Sequence, residues 1–456
     1  MMMEDELIGL TIMRIVWGRF RLRANRVQKL DVSSLRQSSD NSDVNHPVST
    51  SRSIKNVSPS PHRNGSPRQR PASSSPPITT VLPQPQRHPT HDNQCAEFDV
   101  PIAVQTTALD FHLPPVTNAY ETTQWAVSAS TWSTTAPPPT NVSIDQTFSI
   151  HGKLCIPHQG NKKHILHLAT HGLAFDSRYW DVPIDPAQYS YVYNALQQGY
   201  SVLTYDRLTT GQSEKPDGYV TAQGIVEVEI LRGLTELVRS GEIFDHVDGL
   251  EKQAFESIVH VGHSFGSYII NAMLALYGSI SDAAILTGFI FTEHAALPPT
   301  SLGLDFAATN DPKFADRPDA YVVPARDIDV QTGFFSALTN TTLNIGGFDP
   351  ALLELANATK QPGALAEFAS LGVLEFNYGP ATEFTGPVQF MEAEFDYIIC
   401  GGDCHDWNQT MIDLVYATAS DVEVYLQPGT GHGLTSHRNA SLGYQATFDF
   451  LDRNGL

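Results

Sequence analysis

Residues 257–276 read Ser257-Ile258-Val259-His260-Val261-Gly262-His263-Ser264-Phe265-Gly266-Ser267-Tyr268-Ile269-Ile270-Asn271-Ala272-Met273-Leu274-Ala275-Leu276 and change character in the middle. The opening run is short, apolar and β-branched, as a buried strand is, and the closing run is helix-like. Between them Gly262, Ser264 and Gly266 form the pattern G-x-S-x-G. The spacing predicts a strand, a sharp turn and a helix, with the serine at a strained turn that only small neighbours permit. Gly262 and Gly266 supply that room. The amides of the first helical turn point toward any negative charge that forms when Ser264 attacks a carbonyl. The five-residue pattern alone is common; the strand and helix around it make it informative.

Outward from this turn, strands and helices alternate. Phe148 to Ile156 reads as part of an antiparallel edge hairpin, Lys163 to Thr170 as the first central strand, Tyr189 to Gly199 as a helix and Tyr200 to Tyr205 as the next strand. An amphipathic segment from Thr221 to Ser240 precedes the Ile258 strand, and a strand from Ala284 to Phe291 follows the helix. The rhythm breaks between about residues 293 and 386, a stretch with scattered aromatics and several Pro and Asp residues that reads as a cap inserted above the sheet. It resumes with a strand from Val388 to Glu394, a helix from about Trp407 to Ala419, a strand from Val422 to Leu426 and a helix from about Ser441 to Asp452. Crossover-length connections of this kind predict an α/β fold with a doubly wound, mostly parallel sheet.

Two of these strands run into residues that suit a serine nucleophile. Phe395-Asp396 follows the strand at 388–394, and Gly431-His432-Gly433 lies on a glycine-lined loop after the last strand. His432 can take the proton from Ser264 and return it to the leaving group, while Asp396 fixes the imidazole tautomer. Glu394, Asp403 and Asp406 are the competing acids, and Asp396 is preferred because it lies just beyond the strand. The oxyanion needs two backbone donors: the N–H of Phe265, directly after the nucleophile, and that of Leu173 in the loop Thr170-His171-Gly172-Leu173. His171, Asp206 and Arg207 read as structural groups that brace these loops.

Five ordered motifs therefore span residues from about 147 to 456: His171-Gly172, Tyr205-Asp206-Arg207 with Thr210-Gly211-Gln212-Ser213, the serine turn, Ala393-Glu394-Phe395-Asp396, and Gly431-His432. Together they resemble the α/β-hydrolase superfamily, in its capped serine branch with an HG oxyanion loop. The resemblance implies the order Ser, Asp, His along the chain, and a buttressing role for the loop at 205–213. The acidic, sequon-bearing body also resembles secreted or secondary-metabolite hydrolases of filamentous fungi.

The N-terminal part has no counterpart in that pattern. Residues 31–95 are crowded with Ser, Pro, Arg, Gln and Asn, too poor in apolar surface to offset the entropy of ordering, so residues 1–95 are expected to be disordered and 96–456 to form the hydrolase domain. Charge divides at the same place: 13 Lys and Arg against 7 Asp and Glu up to residue 95, and 15 against 42 beyond it. So acidic a body argues against a nucleic-acid partner. Met1 to Trp17 carries Glu4, Asp5 and Glu6 where a signal peptide has basic residues, and Arg14 interrupts its apolar run. From Met13 onward the segment resembles a transit peptide, and no apolar run is long enough to span a bilayer.

Cys95, Cys155, Cys400 and Cys404 allow three pairings, among them a small Cys400–Cys404 loop and a Cys95–Cys155 tie; a metal reading of Cys400, Cys404 and His405 lacks a second ligand pair. Sequons at Asn141, Asn340, Asn357, Asn408 and Asn439 favour export, and with it glycosylation. The expectation from these readings is a serine hydrolase without metal or cofactor, cleaving a small-molecule carboxylic ester or lactone through an acyl-enzyme. C–C bond, thioester and peptide hydrolysis, and a non-catalytic scaffold of the same fold, are the alternatives.

Overall fold

The computed structural model describes residues 94–130, 137–158, 163–292, 302–335 and 347–456. The disordered segment expected over residues 1–95 lies outside these, except for Gln94 and Cys95, which open the first strand. Eight strands form the main sheet: β1 (Gln94–Asp110), β2 (Thr140–Ile156), β3 (Ile165–Thr170), β4 (Ser201–Tyr205), β5 (Ser257–His263), β6 (Ala283–Thr287), β10 (Val388–Ala393) and β11 (Val422–Gln427). Their spatial order is β1-β2-β4-β3-β5-β6-β10-β11. From β4 to β11 all neighbours are parallel; β1 and β2 add an antiparallel hairpin at the β4 edge.

Side-chain alternation sends each central strand into two cores. Leu168, Leu203, Ile258, Leu286 and Phe390 meet helices α3 (Gly224–Ser240) and α4 (Phe265–Tyr277) on one face. Ala169, Val202, Val259, Val261 and Ile285 meet α2 (Tyr191–Gln198) and α8 (Ala440–Arg453) on the other. Strands covered on both faces must be apolar throughout, which is why they read as continuous runs rather than alternating ones.

The strand expected from Ala284 to Phe291 stops at Thr287. Gly288 takes φ +58°, and a Cβ there would lie 2.8 Å from the ring of His263 and 3.2 Å from that of His432. The chain turns away so that two imidazoles can pack over its backbone, and Phe289 and Phe291 leave the strand to join the core. The helix expected from Trp407 to Ala419 is shorter: α7 spans Gln409–Val415, started by the Asn408 side chain accepting from Met411 N–H at 3.1 Å.

Between β6 and β10 the chain forms a separate antiparallel sheet of β7 (Leu304–Phe306), β8 (Tyr321–Pro324) and β9 (Gly363–Ala364), with helices α5 (Pro350–Thr359) and α6 (Leu365–Phe376). Helix α1 (Ala119–Ser130), from the β1–β2 connection, packs on this sheet through Trp125, whose ring meets Phe368 edge-on at 5.6 Å. Neither β1 nor α1 was anticipated from the sequence. Disulfides join Cys95 to Cys155, directly opposed across β1 and β2, and Cys400 to Cys404. Among the described residues no helix is long and apolar enough to cross a membrane.

Candidate active site

Register brings the carboxyl ends of β3, β5, β6 and β10 together, with Thr170 opposite Gly262, His263 opposite Thr287 and Met391 opposite Thr287. Ser264 sits between β5 and α4 at φ 52°, ψ −121°, a conformation that costs a non-glycine residue of order 1–3 kcal/mol. Close packing imposes it. A Cβ on Gly266 would lie 2.2 Å from the carbonyl oxygen of Thr170, and one on Gly262 2.7 Å from Cα of Ser267. The turn is tied to β6, because Ser264 N–H and the Ser267 hydroxyl both donate to Thr287 O, at 2.8 and 2.9 Å. Ser264 itself is half-buried while its neighbours His263 and Phe265 are buried.

Asp396 and His432 are brought together. Both are fully buried, and His432 Nδ1 lies 2.5 Å from Asp396 Oδ2. Asp396 Oδ1 accepts from Ile399 N–H at 2.8 Å, which holds the carboxylate in place. Burial opposes charge on Asp396, but the His432 ring, its hydrogen bond, Glu392 and Ile399 N–H outweigh it and hold the carboxyl below its ordinary value. Two of the competing acids are engaged elsewhere: Glu394 accepts from Gly429 N–H, and Asp403 meets His405. His432 Nε2 is buried and has no hydrogen-bond partner among the described residues, Ser264 included. The two residues converge around His263, whose ring centroid is 4.9 Å from that of His432.

His437 braces the loop that carries His432. Its Nε2 accepts from Gly431 N–H at 3.1 Å and its Nδ1–H donates to Gly433 O at 2.9 Å, so one ring pins the residues on both sides of His432. His171 does the same for the loop after β3. Arg207 N–H donates to His171 Nε2 at 3.0 Å, which places the ring proton on Nδ1, and Nδ1–H donates to Gly172 O at 2.8 Å. Burial first, and the Arg207 charge second, depress His171 to about 3, so it stays neutral. The backbone N–H groups of Leu173 and Phe265 have no acceptor among the described residues.

Behind this loop lies a buried charge cluster. Arg207 is fully buried and donates through Nη1 to Glu227 of α3 at 2.7 Å and to Glu367 of α6 at 2.6 Å. Burial pushes the Glu227 carboxyl well above its ordinary value, against the pull of Arg207. Arg207 was read as a brace from its place after a strand, but Glu227 and Glu367 carry no local signal that marks them as its partners. Asp206 fixes the same loop by accepting from Ser177 N–H at 3.0 Å and Gln212 N–H at 2.8 Å. A cavity of about 180 Å³ lies beside the site, lined by Phe175, Tyr179, Val182, Leu352, Ala356 and Thr435 among others. Tyr179 stacks on His263 at 4.2 Å between centroids.

Among solved structures, the chain is similar to a thermophilic esterase from Thermogutta terrifontis, with 16% identity and a TM-score of 0.42, covering 71% of this chain and 97% of that one. It is also similar to an enol-lactonase from Burkholderia xenovorans, with 15% identity, a TM-score of 0.43 and coverage of 67% and 97%. A methylesterase from Arabidopsis matches with 12% identity, a TM-score of 0.40 and coverage of 63% and 99%. No curated protein sequence matches. The family model described as "Alpha/beta hydrolase family" matches residues 166–441, which takes in the parallel strands, the serine turn and the loops that carry Asp396 and His432 but not the β1–β2 hairpin. The chain belongs to the alpha/beta hydrolase family.

Proposed function

We propose that this chain is a serine hydrolase that cleaves a small-molecule carboxylic ester or lactone through an acyl-enzyme. Ser264 attacks the carbonyl carbon, His432 Nε2 takes its proton, and Asp396 holds Nδ1–H and stabilises the imidazolium. The N–H groups of Leu173 and Phe265 receive the oxyanion. Collapse of the tetrahedral species breaks the bond to the leaving oxygen, which takes the proton from His432; water then repeats the sequence on the acyl-serine and releases the acid.

The observation that carries this reading is the buried His432–Asp396 pair, whose Nε2 is left without a partner and whose ring packs near His263, the residue directly before a half-buried serine in a strained turn. A buried ring nitrogen without a partner costs free energy, and a catalytic role is one reason for a fold to keep it. Rapid mixing with p-nitrophenyl acetate tests the acyl-enzyme. A burst of p-nitrophenol close to one equivalent per protein is expected, followed by a slower steady state. A linear release at every enzyme concentration, with no acyl group trapped on Ser264 after acid quenching, would exclude acyl-enzyme accumulation and count against the scheme.

A further inference from the structure

The oxyanion site assigned above is supported by a segment distant in sequence. Residues Gln361 to Glu367, in the stretch inserted between β6 and β10, are bonded along the loops that follow β3 and β4. Gln361 N–H donates to Ala174 O at 2.9 Å, its amide donates to Asp176 at 3.0 Å, and its Oε1 accepts from Gly211 N–H at 3.2 Å. Gly363 lies against Leu173, where an added Cβ would be 3.2 Å from Leu173 Cδ2. Glu367 Oε2 accepts from its own Ala364 N–H at 2.6 Å and from the Thr209 hydroxyl at 3.1 Å, while Oε1 meets Arg207.

Arg207, held this way, touches both halves of the oxyanion site. Its Nη2 donates to Gly172 O at 3.4 Å, and its guanidinium lies 4.7 Å from the centroid of the Phe265 ring. Gly172 O belongs to the same peptide as Leu173 N–H, and no peptide among the described residues is cis. In a trans peptide the carbonyl and the N–H point to opposite sides. Anchoring Gly172 O on His171 and Arg207 therefore turns Leu173 N–H the other way, where it has no acceptor.

We propose that Glu367 is a positioning residue for the oxyanion site, acting through Arg207 to hold the Gly172–Leu173 peptide in its donating orientation, so that the inserted segment helps build the site. The inference rests on the serine-hydrolase reading and adds to it a residue that touches neither substrate nor nucleophile. Two variants test it. Glu367→Gln keeps the shape but removes the negative charge that faces Arg207, and Arg207→Lys keeps a cation beside the glutamates but lacks the second nitrogen that reaches Gly172 O.

For each folded variant kcat on p-nitrophenyl acetate should fall roughly 10- to 100-fold, the range lost when one oxyanion contact is weakened, with KM changed by no more than about threefold. The inhibition constant of phenylboronic acid, whose tetrahedral adduct places an oxygen in the oxyanion site, should rise by the same factor as kcat falls. Variants that melt earlier but retain wild-type kcat and boronate affinity, or that change only KM, would overturn the proposal. A wild-type protein that shows neither acylation nor boronate inhibition would instead refute the serine-hydrolase reading on which it rests.

Discussion

Ser264→Ala is expected to lower p-nitrophenyl ester turnover by at least about 10⁴-fold while leaving stability within about 1 kcal/mol of the wild type. The first half follows from the chemistry, since alanine offers no nucleophile and the remaining residues act as a unit around it. The second half follows from the packing. The Ser264 hydroxyl makes no hydrogen bond among the described residues, the turn is held by backbone contacts to Thr287, and alanine has the same Cβ in the same strained conformation. The contrast is Gly266, where any side chain would strike Thr170 O. Unfolding in urea and steady-state kinetics on the same preparation separate the two effects. Retention of full activity would remove Ser264 from the mechanism.

The largest change in stability is expected at Cys95 and Cys155. Their bond closes a loop with a sequence separation of 60, against 4 for Cys400 and Cys404. Loop-closure entropy grows with the logarithm of loop length, so replacing the first pair with alanine should cost about 4 kcal/mol and the second about 2 kcal/mol. The first bond also fixes the register of the β1–β2 hairpin at the open edge of the sheet, where fewer neighbours restrain the strands. Equilibrium urea unfolding of the two double variants measures the difference. Equal losses for both pairs would contradict the loop-entropy account and locate the stabilisation in local packing instead.

The central strands and their helices were legible because each carries its own periodicity, and the loops after them because glycine, histidine and aspartate follow strand ends at short spacing. The hairpin at the sheet edge was legible through Phe148 to Ile156, but its outer strand β1 was not. Phe98, Val100, Ile102 and Val104 alternate inward along β1, but Pro101 interrupts the run and reads as a breaker. It is tolerated because β1 is an edge strand, where a missing N–H need not cost a ladder bond. The strand before Phe289 was read too long because its end is set by two histidine rings packed over Gly288, a tertiary demand with no local sequence mark.

The candidate site divides along the same line. Ser264, Asp396, His432, Leu173 and Phe265 were named from the sequence because each is tied to a strand end. Glu367 stands 160 residues from Arg207, and nothing in the pattern of α6 links the two. Its neighbour Gln361 was equally silent, although both bond to loops that the sequence had marked. Local sequence shows which loops must be held; it does not show what holds them.

The claim that Ser264 is the nucleophile is tested most directly by treating the folded full-length chain with a fluorophosphonate and mapping the adduct by peptide mass spectrometry. A single phosphonylated residue, Ser264, is expected, with labelling abolished in Ser264→Ala and slowed when His432 is replaced. A folded wild-type protein that stays unlabelled, or that carries the adduct on another serine, would contradict it.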